Sequence, residues 1–136
     1  TQQKIEQYEK AMKNIAIVGF SPDSNKASNH VGSYLIEQGF NVFAIYPKSI
    51  EINGRQTYQS LSQIKQDIDT VVVFRKAEFA TSIVEEALSL GVKNVWLQLG
   101  IVNDEAKQIA QNAGLNFIQD ACIMIEYKRF KNDKSK

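Results

Sequence analysis

Residues 15–22 read Ile15-Ala16-Ile17-Val18-Gly19-Phe20-Ser21-Pro22. The four apolar residues before Gly19 predict a strand buried on both faces, as strands of parallel sheets are. Gly19 predicts a sharp turn, and the next helix is expected to begin near Ser28, a good N-cap residue. Such a turn presents free backbone N–H groups to phosphate oxygens. A phosphate-binding turn is one interpretation, and a plain strand-to-helix connection is the other, because the full Gly-x-Gly-x-x-Gly pattern is absent.

The second predicted strand covers residues 41–46 and ends in Tyr46-Pro47-Lys48. A domain that binds NAD usually carries an acidic residue at this point, where it grips the ribose diol. Lys48 instead favours a ribose that carries a phosphate group. A solvated surface lysine with no ligand is the plain alternative. Together with the glycine turn, Lys48 predicts a phosphorylated ligand other than NAD.

Apolar strands alternate with amphipathic segments along the chain, with an Asn53-Gly54 turn after the second strand. This alternation predicts an α/β fold. The expected architecture is a Rossmann-like, doubly wound, mostly parallel sheet of about five strands with helices on both faces. The helix at 77–90 is expected to bury an apolar face made of Phe79, Ile83, Val84, Ala87, Leu88 and Leu90. The other predicted elements are strands at 70–74, 94–98 and from 116, and helices at 3–12, 28–39, 60–65 and 104–113.

The composition indicates one globular domain. A net charge of +1 over 136 residues gives no overall field for nucleic acid or an anionic membrane. The single cysteine cannot form an internal disulfide, and no Cys/His cluster predicts a metal site. A cytoplasmic protein is expected, since the first ten residues fit neither a signal nor a transit peptide. The expected division is an N-terminal helical extension (1–13), the domain (14–130) and a charged tail (131–136).

A ligand is expected at the carboxyl ends of the strands. In open parallel sheets, ligands bind there, at the point where the strand order reverses. Near the first turn, the hydroxyl of Ser21 and the cation of Lys26 suit a phosphate group. After the third strand, Phe74 suits packing on a ring. Arg75 suits stacking or forked hydrogen bonds, and a surface pair with Glu78 is its alternative.

The last two strands add further candidates. Gly100 permits close approach of the backbone, and the amide of Gln98 is able to bind a ligand, whereas Trp96 is expected in the core. Cys122 follows the fifth strand. A role in disulfide exchange requires a thiolate and access, and a buried, inert cysteine is the alternative.

Six stretches at predicted strand ends and turns stand in register: Ile17-Val18-Gly19-Phe20-Ser21-Pro22, Lys26-Ala27-Ser28, Tyr46-Pro47-Lys48, Val73-Phe74-Arg75, Trp96-Leu97-Gln98-Leu99-Gly100 and Cys122-Ile123-Met124-Ile125-Glu126-Tyr127. Together they resemble the CoA-binding domain family, the small stand-alone relatives of the CoA-binding domain of succinyl-CoA synthetase. The resemblance spans residues 15–127, almost the whole domain. The chain departs from the family pattern at Ala27, Asn29 and Ala121, where that pattern often has a proline, an aromatic residue and a basic residue, respectively.

The resemblance implies a small nucleotide ligand, coenzyme A or an acyl-CoA, whose nucleotide part lies over the strand ends. Cys122 would then approach the thiol of CoA. The other implied contacts are Gly19, Ser21, Lys26 and Ser28 for the phosphates, Lys48 for the phosphorylated ribose, Pro47, Phe74 and Arg75 for the adenosine, and Gln98 and Gly100 for the pantetheine arm.

No catalytic set is predicted. His30 is the only histidine and is expected on the face of the first helix, so no Ser-His-acid arrangement can form. Three functions remain open. The first is a non-catalytic module that binds CoA or an acyl-CoA as carrier, sensor or accessory, the second an NADP-dependent oxidoreductase, and the third a ligand-free scaffold for protein contacts. A protein partner or a homodimer also remains open.

Overall fold

A five-stranded parallel sheet lies at the centre of the structure, a computed structural model that describes residues 12–134. In chain order, the strands are β1 (Asn14–Val18), β2 (Asn41–Ile45), β3 (Glu51–Ile52), β4 (Arg55–Gln56), β5 (Thr70–Val73), β6 (Asn94–Leu97) and β7 (Asn116–Ile118). The helices are α1 (Ala27–Glu37), α2 (Ala80–Ser89), α3 (Asp104–Asn112) and α4 (Ile123–Lys134), with short 3-10 helices at Leu61–Gln63 and Ala77–Phe79. The predicted α/β fold is confirmed.

The strand order in the main sheet is β2-β1-β5-β6-β7, and every pairing in it is parallel. The chain passes from β1 to β2 on one side and later returns to β5 on the other side. The strand order therefore reverses between β1 and β5. In doubly wound sheets, the ligand crevice lies outside the carboxyl ends of the two strands at such a reversal.

Helices cover both faces of the sheet, as predicted. On one face, Ile17 of β1 shares an apolar cluster with Leu35 of α1 and Ile123 of α4. On the other face, Val71 of β5 shares a cluster with residues of α2 and α3, among them Val84. These side chains are almost fully removed from water, and their burial is the main force that holds the helices on the sheet.

The predicted Asn53-Gly54 turn joins β3 and β4 into an antiparallel hairpin. Both residues have positive φ, 51° and 80°, which is the backbone of a type I′ turn. Beyond the hairpin, Tyr58 returns to the outer edge of β2. Its N–H donates to the carbonyl of Ala44 at 2.8 Å, and its carbonyl accepts from the N–H of Tyr46 at 2.9 Å. The hairpin thus brings the chain back to the carboxyl end of β2.

Two helices differ from the prediction. α1 begins at Ala27 with Lys26 at the N-cap position, so Ser28 lies in the first turn and is not the N-cap. The Ser28 hydroxyl instead accepts a hydrogen bond from the N–H of Ser21 at 2.9 Å. α4 is absent from the predicted elements. It extends to Lys134, so residues 131–134 of the expected tail are helical. Ile123 and Phe130 are buried on its inner side.

The predicted helix at 77–90 is correct in place, and the middle of its expected apolar face is confirmed, since Val84 and Ala87 are buried. The two ends of that face are wrong, because Phe79 and Leu90 are exposed. The expected N-terminal helix at 3–12 lies outside the described residues, apart from Met12, which is buried. Within residues 12–134, no helix combines the length and apolar character needed to cross a membrane.

Gly32 of α1 is expected to tolerate a methyl group poorly. A Cβ at this position would overlap Cε2 and Cζ of Phe20, whose ring is buried. Overpacking costs about 1–3 kcal/mol, and the better helix propensity of alanine offsets about 1 kcal/mol of it. We therefore expect Gly32→Ala to lower the free energy of unfolding in urea by up to about 2 kcal/mol.

A double variant tests the cause of this loss. Phe20→Leu in the Gly32→Ala background removes the overlapping ring atoms. The double variant should therefore lose less stability than the sum of the two single variants. Strictly additive losses would contradict a contact between Gly32 and Phe20.

Candidate functional site at the strand carboxyl ends

The turn after β1 is held between the ends of β2 and β5. The N–H groups of Gly19 and Phe20 both donate to the carbonyl of Ile45, at 3.0 and 3.2 Å, and the N–H of Phe74 donates to the carbonyl of Val18 at 2.9 Å. Gly19 has a φ of +90°, and a Cβ there would lie 2.7 Å from the carbonyl oxygen of Phe74. Glycine is therefore required at this position on two grounds, its backbone conformation and its close approach to β5.

These contacts correct one expectation. The N–H groups of Gly19 and Phe20 are not free for a phosphate, because Ile45 accepts both. The free donors lie one segment later, in the first turn of α1. The N–H groups of Ala27, Ser28 and Asn29 bond to no other described residue, as is usual in the first turn of a helix.

Ser21 is fixed in place by the start of α1. Its N–H donates to the hydroxyl of Ser28 at 2.9 Å, and its carbonyl accepts from Nδ2 of Asn29 at 2.8 Å. Its own hydroxyl accepts from the N–H of Asp23 at 3.1 Å and keeps its proton for another acceptor. The turn therefore presents a hydroxyl and the open N-terminus of α1 on the same side of the sheet.

A cavity of about 430 Å³ opens beside this turn. Its volume is in the range typical of small-molecule sites. It contains five of the eleven predicted binding residues. Gln59 is a residue that the sequence analysis missed, since it reaches the cavity through the pairing of Tyr58 with β2, which leaves no local signal in the sequence. The lining residues are Gly19, Ser21, Ile45, Tyr46, Pro47, Gln59, Phe74 and Arg75.

A larger cavity, of about 490 Å³, lies at the other end of β1 and β2. It is lined by the first residues of these strands, Asn14 and Asn41, and by Arg55 of β4. No helix of the main sheet begins at this end, because each helix follows the carboxyl end of a strand. The smaller cavity is thus the better site for an anionic ligand, since it lies next to a helix N-terminus.

Cationic side chains border the smaller cavity. The guanidinium of Arg75 lies over the ring of Phe79, 4.5 Å from its centroid. Arg75 forms no ion pair with Glu78, and the ion pair found within residues 12–132 joins Glu126 to Arg129. Lys48 is exposed directly after Pro47, with its carbonyl held by the hydroxyl of Thr57 at 2.6 Å, and Lys26 is exposed before α1.

Gln98, Gly100 and Cys122 lie outside this cavity, around the end of β6 and the start of α4. Gln98 is only 3% exposed. Its Oε1 accepts from the N–H of Ile123 at 3.4 Å, but its Nε2 has no acceptor among the described residues. The N–H of Gly100 donates to Oδ1 of Asp120 at 2.8 Å, and Cys122 is half-buried directly before α4. The eleven predicted residues thus form two groups on neighbouring strand ends.

Three other residues of the sequence analysis, Trp96, Glu126 and His30, lie outside the two groups. Trp96 lies in the core, 1% exposed, and its indole N–H donates to the carbonyl of Ala121 at 2.8 Å. Glu126 pairs with Arg129 at 3.1 Å. His30 is exposed on α1. Within the described residues, no three His, Cys, Asp or Glu side chains are grouped so as to hold a metal ion.

A known protein family matches most of this chain. The profile of the family described as "CoA binding domain" matches residues 13–128. The chain belongs to this CoA-binding domain family. The match covers every strand and the first half of α4, so it includes both groups of candidate residues. The resemblance stated from the sequence motifs is confirmed.

Relatives of this CoA-binding domain occur alone and within larger enzymes. The chain is 33% identical to the uncharacterized protein YneT of Bacillus subtilis over 115 residues, 85% of either chain. It is 32% identical over 109 residues to the alpha subunit of an ADP-forming acetate–CoA ligase I of Pyrococcus furiosus. That alignment covers 73% of this chain but 23% of the ligase subunit. The chain thus spans about a quarter of that relative's length.

Solved structures of other proteins agree with this membership. A hypothetical protein from Pyrococcus horikoshii OT3 superimposes with a TM-score of 0.92 at 36% identity, over 96% of this chain and 92% of that one. The cell-free ID.343 protein of Thermus thermophilus superimposes with a TM-score of 0.89 at 32% identity, over 96% and 98%. In both cases, the likeness extends over nearly the whole of either chain.

Proposed function

We propose that this domain binds coenzyme A or an acyl-CoA through its phosphates and adenosine, as a non-catalytic carrier, sensor or accessory module. The observation that carries the proposal is the cavity over the carboxyl ends of β2, β1 and β5, lined by Gly19 and Phe74 among others, which opens at the strand reversal beside the free N–H groups of α1. Membership in the CoA-binding domain family supports CoA as the ligand. The residues present fit such a ligand in three respects, its phosphates, its adenosine and its pantetheine arm.

The phosphates fit the first turn of α1. The free N–H groups of Ala27, Ser28 and Asn29 and the positive end of the helix dipole favour an anion at this point. The hydroxyl proton of Ser21 and the exposed ammonium of Lys26 add donors on the same side. A pyrophosphate group is the part of coenzyme A that this set of donors suits.

The adenosine fits the cavity itself. Pro47 and Phe74 provide apolar surface for a base, and Arg75 is near enough to offer its planar guanidinium. Lys48 follows Pro47 at the edge of the cavity. It stands at the position where a domain that binds an unphosphorylated ribose usually has an acidic residue. We assign to Lys48 the phosphate on the ribose of coenzyme A.

The pantetheine arm fits the second group of residues. The Nε2 of Gln98 is a buried donor without an acceptor, and such a group typically costs about 1–3 kcal/mol. The pantetheine arm contains two amide carbonyls, each of which is an acceptor. Because Nε2 is enclosed, the contact requires Gln98 to turn toward the ligand. Gly100, next along the chain after Leu99, leaves the approach open, and Cys122 lies at the far end of this group.

The proposed role is binding without catalysis. His30 is the one histidine of the sequence, and among the described residues its side chain makes no hydrogen bond to a serine or a carboxylate, so no Ser-His-acid arrangement supports catalysis. The candidate residues supply cations, N–H groups and apolar surface, which hold a ligand but do not move a proton at a reacting bond. Cys122 carries the one thiol of the set. Incubation with oxidised CoA followed by mass spectrometry tests whether it forms a mixed disulfide.

Ligand titrations test the proposed function. We expect coenzyme A and acetyl-CoA to raise the melting temperature, and at a concentration about 100 times Kd the stabilisation is about 2.7 kcal/mol. NADP, NAD and ATP serve as controls with related nucleotide parts. Tighter binding of NADP than of CoA would favour the oxidoreductase instead, which Lys48 also suits. No shift with any of these ligands would favour a scaffold for protein contacts.

A further inference from the structure

Large apolar side chains are exposed mainly at one end of this domain. Among residues 12–134, five such side chains are exposed, and Leu99 is the most exposed of them, at 62%. Leu90 is the exception in position, because it follows α2 at the opposite end of the sheet. The other four come after β5, after β6 or in the first turn of α4. We call these four the apolar rim: Phe79, Leu99, Val102 and Ile125.

Hydrogen bonds join the three segments that carry the apolar rim. Nδ2 of Asn103 donates to the carbonyl of Ala77 at 2.8 Å, which links the segment after β6 to the segment after β5. The N–H of Asn103 donates to Oε1 of Gln119 at 2.9 Å, and the N–H of Gly100 donates to Oδ1 of Asp120 at 2.8 Å. These two bonds link the same segment to the residues that precede α4. The rim therefore belongs to one hydrogen-bonded unit.

The apolar rim continues the second group of candidate residues. Leu99 lies directly between the candidate residues Gln98 and Gly100, and Ile125 lies in the first turn of α4, the helix whose first N–H donates to Gln98. A ligand arm that reaches Gln98 from the cavity at β1 and β5 therefore arrives at the segments that carry these side chains. Isolated exposed apolar residues are common on protein surfaces, but a group beside a binding site indicates a contact surface.

From this arrangement, and resting on the proposed function, we infer that the preferred ligand is an acyl-CoA whose apolar acyl chain has four or more carbons and lies on the apolar rim. Free CoA ends in a thiol and acetyl-CoA adds one methyl group, so neither covers much of the rim. A longer chain buries methylene groups, and each one fully buried strengthens binding about fourfold. On an open surface, we expect each added methylene group to lose about half of its contact with water. Octanoyl-CoA should therefore bind more than tenfold (~1.4 kcal/mol) more tightly than acetyl-CoA.

Calorimetric titration with CoA and with acetyl-, butyryl-, hexanoyl- and octanoyl-CoA tests the inference. We expect affinity to rise with chain length. The variants Leu99→Ser and Val102→Ser should each lower the ratio of octanoyl-CoA to acetyl-CoA affinity at least about threefold. Leu90→Ser makes the same change at an exposed leucine far from the rim and should leave the ratio unchanged. Melting temperatures of the variants without ligand check that all of them are folded.

Three outcomes would overturn the inference. Equal affinity for CoA and for every acyl-CoA would leave the proposed function intact but exclude an acyl chain on the rim. A chain-length effect that Leu90→Ser reduces as much as Leu99→Ser does would place the chain elsewhere. A change of oligomeric state in Leu99→Ser, seen by sedimentation without any change in the affinity ratio, would make the rim a contact between copies. Absence of binding to any CoA ligand would instead contradict the proposed function.

Discussion

Gly19→Ala is expected to lower the free energy of unfolding by about 3 kcal/mol, since two costs combine. A φ of +90° disfavours any side chain, and a Cβ would lie 2.7 Å from the carbonyl oxygen of Phe74. This neighbour is backbone, so relief requires the ends of β1 and β5 to separate. Because the ends of β1 and β5 line the candidate cavity, we also expect CoA binding to weaken by about tenfold or more, which corresponds to about 1.4 kcal/mol. Urea unfolding and calorimetry measure the two effects.

Gly39→Ala is the matched control for this prediction. Gly39 has a φ of +94°, close to that of Gly19, but a Cβ there would meet nothing within 4 Å. In this variant, only the backbone conformation disfavours the side chain. The free energy of unfolding should therefore fall by about 1 kcal/mol, and CoA binding should be retained. Equal losses of stability in the two variants would mean that the contact between Gly19 and Phe74 contributes nothing.

Lys48→Glu is expected to separate two ligands that differ by one phosphate. If Lys48 faces the ribose phosphate, the change removes an attraction and adds a repulsion. Hydrogen bonds to charged groups contribute about 1.5–3 kcal/mol, which corresponds to a loss of about 10- to 100-fold in affinity for CoA. Dephospho-CoA lacks this phosphate and should lose less than about threefold. Calorimetry with both ligands gives the two ratios.

Two further charge reversals serve as controls. Lys26→Glu should weaken CoA and dephospho-CoA by similar factors, because both contain the pyrophosphate that we assign to the start of α1. Lys93→Glu makes the same charge change at an exposed lysine directly before β6, at the opposite end of the sheet, and should alter neither affinity by much. If Lys48→Glu weakened both ligands equally, its assignment to the ribose phosphate would be wrong.

The fold could be predicted from the sequence because its strands leave a strong local pattern. The apolar runs around Ile17 and Val72 are buried on both faces, so they contain almost no polar residue. The Asn53-Gly54 pair likewise specifies its turn through backbone conformation alone. Such features depend on neighbouring residues and are therefore visible in a sequence. The missed helix α4 did carry a signal, the spacing of Ile123, Tyr127 and Phe130 on one helical face.

The details of the candidate site depend on contacts between distant segments, and these are not visible in the sequence. Ser28 has the chemistry of an N-cap, yet its hydroxyl accepts from Ser21 across the turn. Gln59 enters the cavity because Tyr58 pairs with β2. The division of the candidate residues into two groups follows from the strand order, which places β5 between β1 and β6.

Trp96 has a practical consequence for all of these measurements. It is the one tryptophan of the sequence, it is almost completely enclosed, and its indole is tied to the residue before Cys122. It lies in β6, two residues before Gln98, so this intrinsic fluorophore stands between the hydrophobic core and the part of the candidate site that we propose for the pantetheine arm. Its emission therefore reports both the folding of the core and any rearrangement at the start of α4, on unlabelled protein and in a single cuvette.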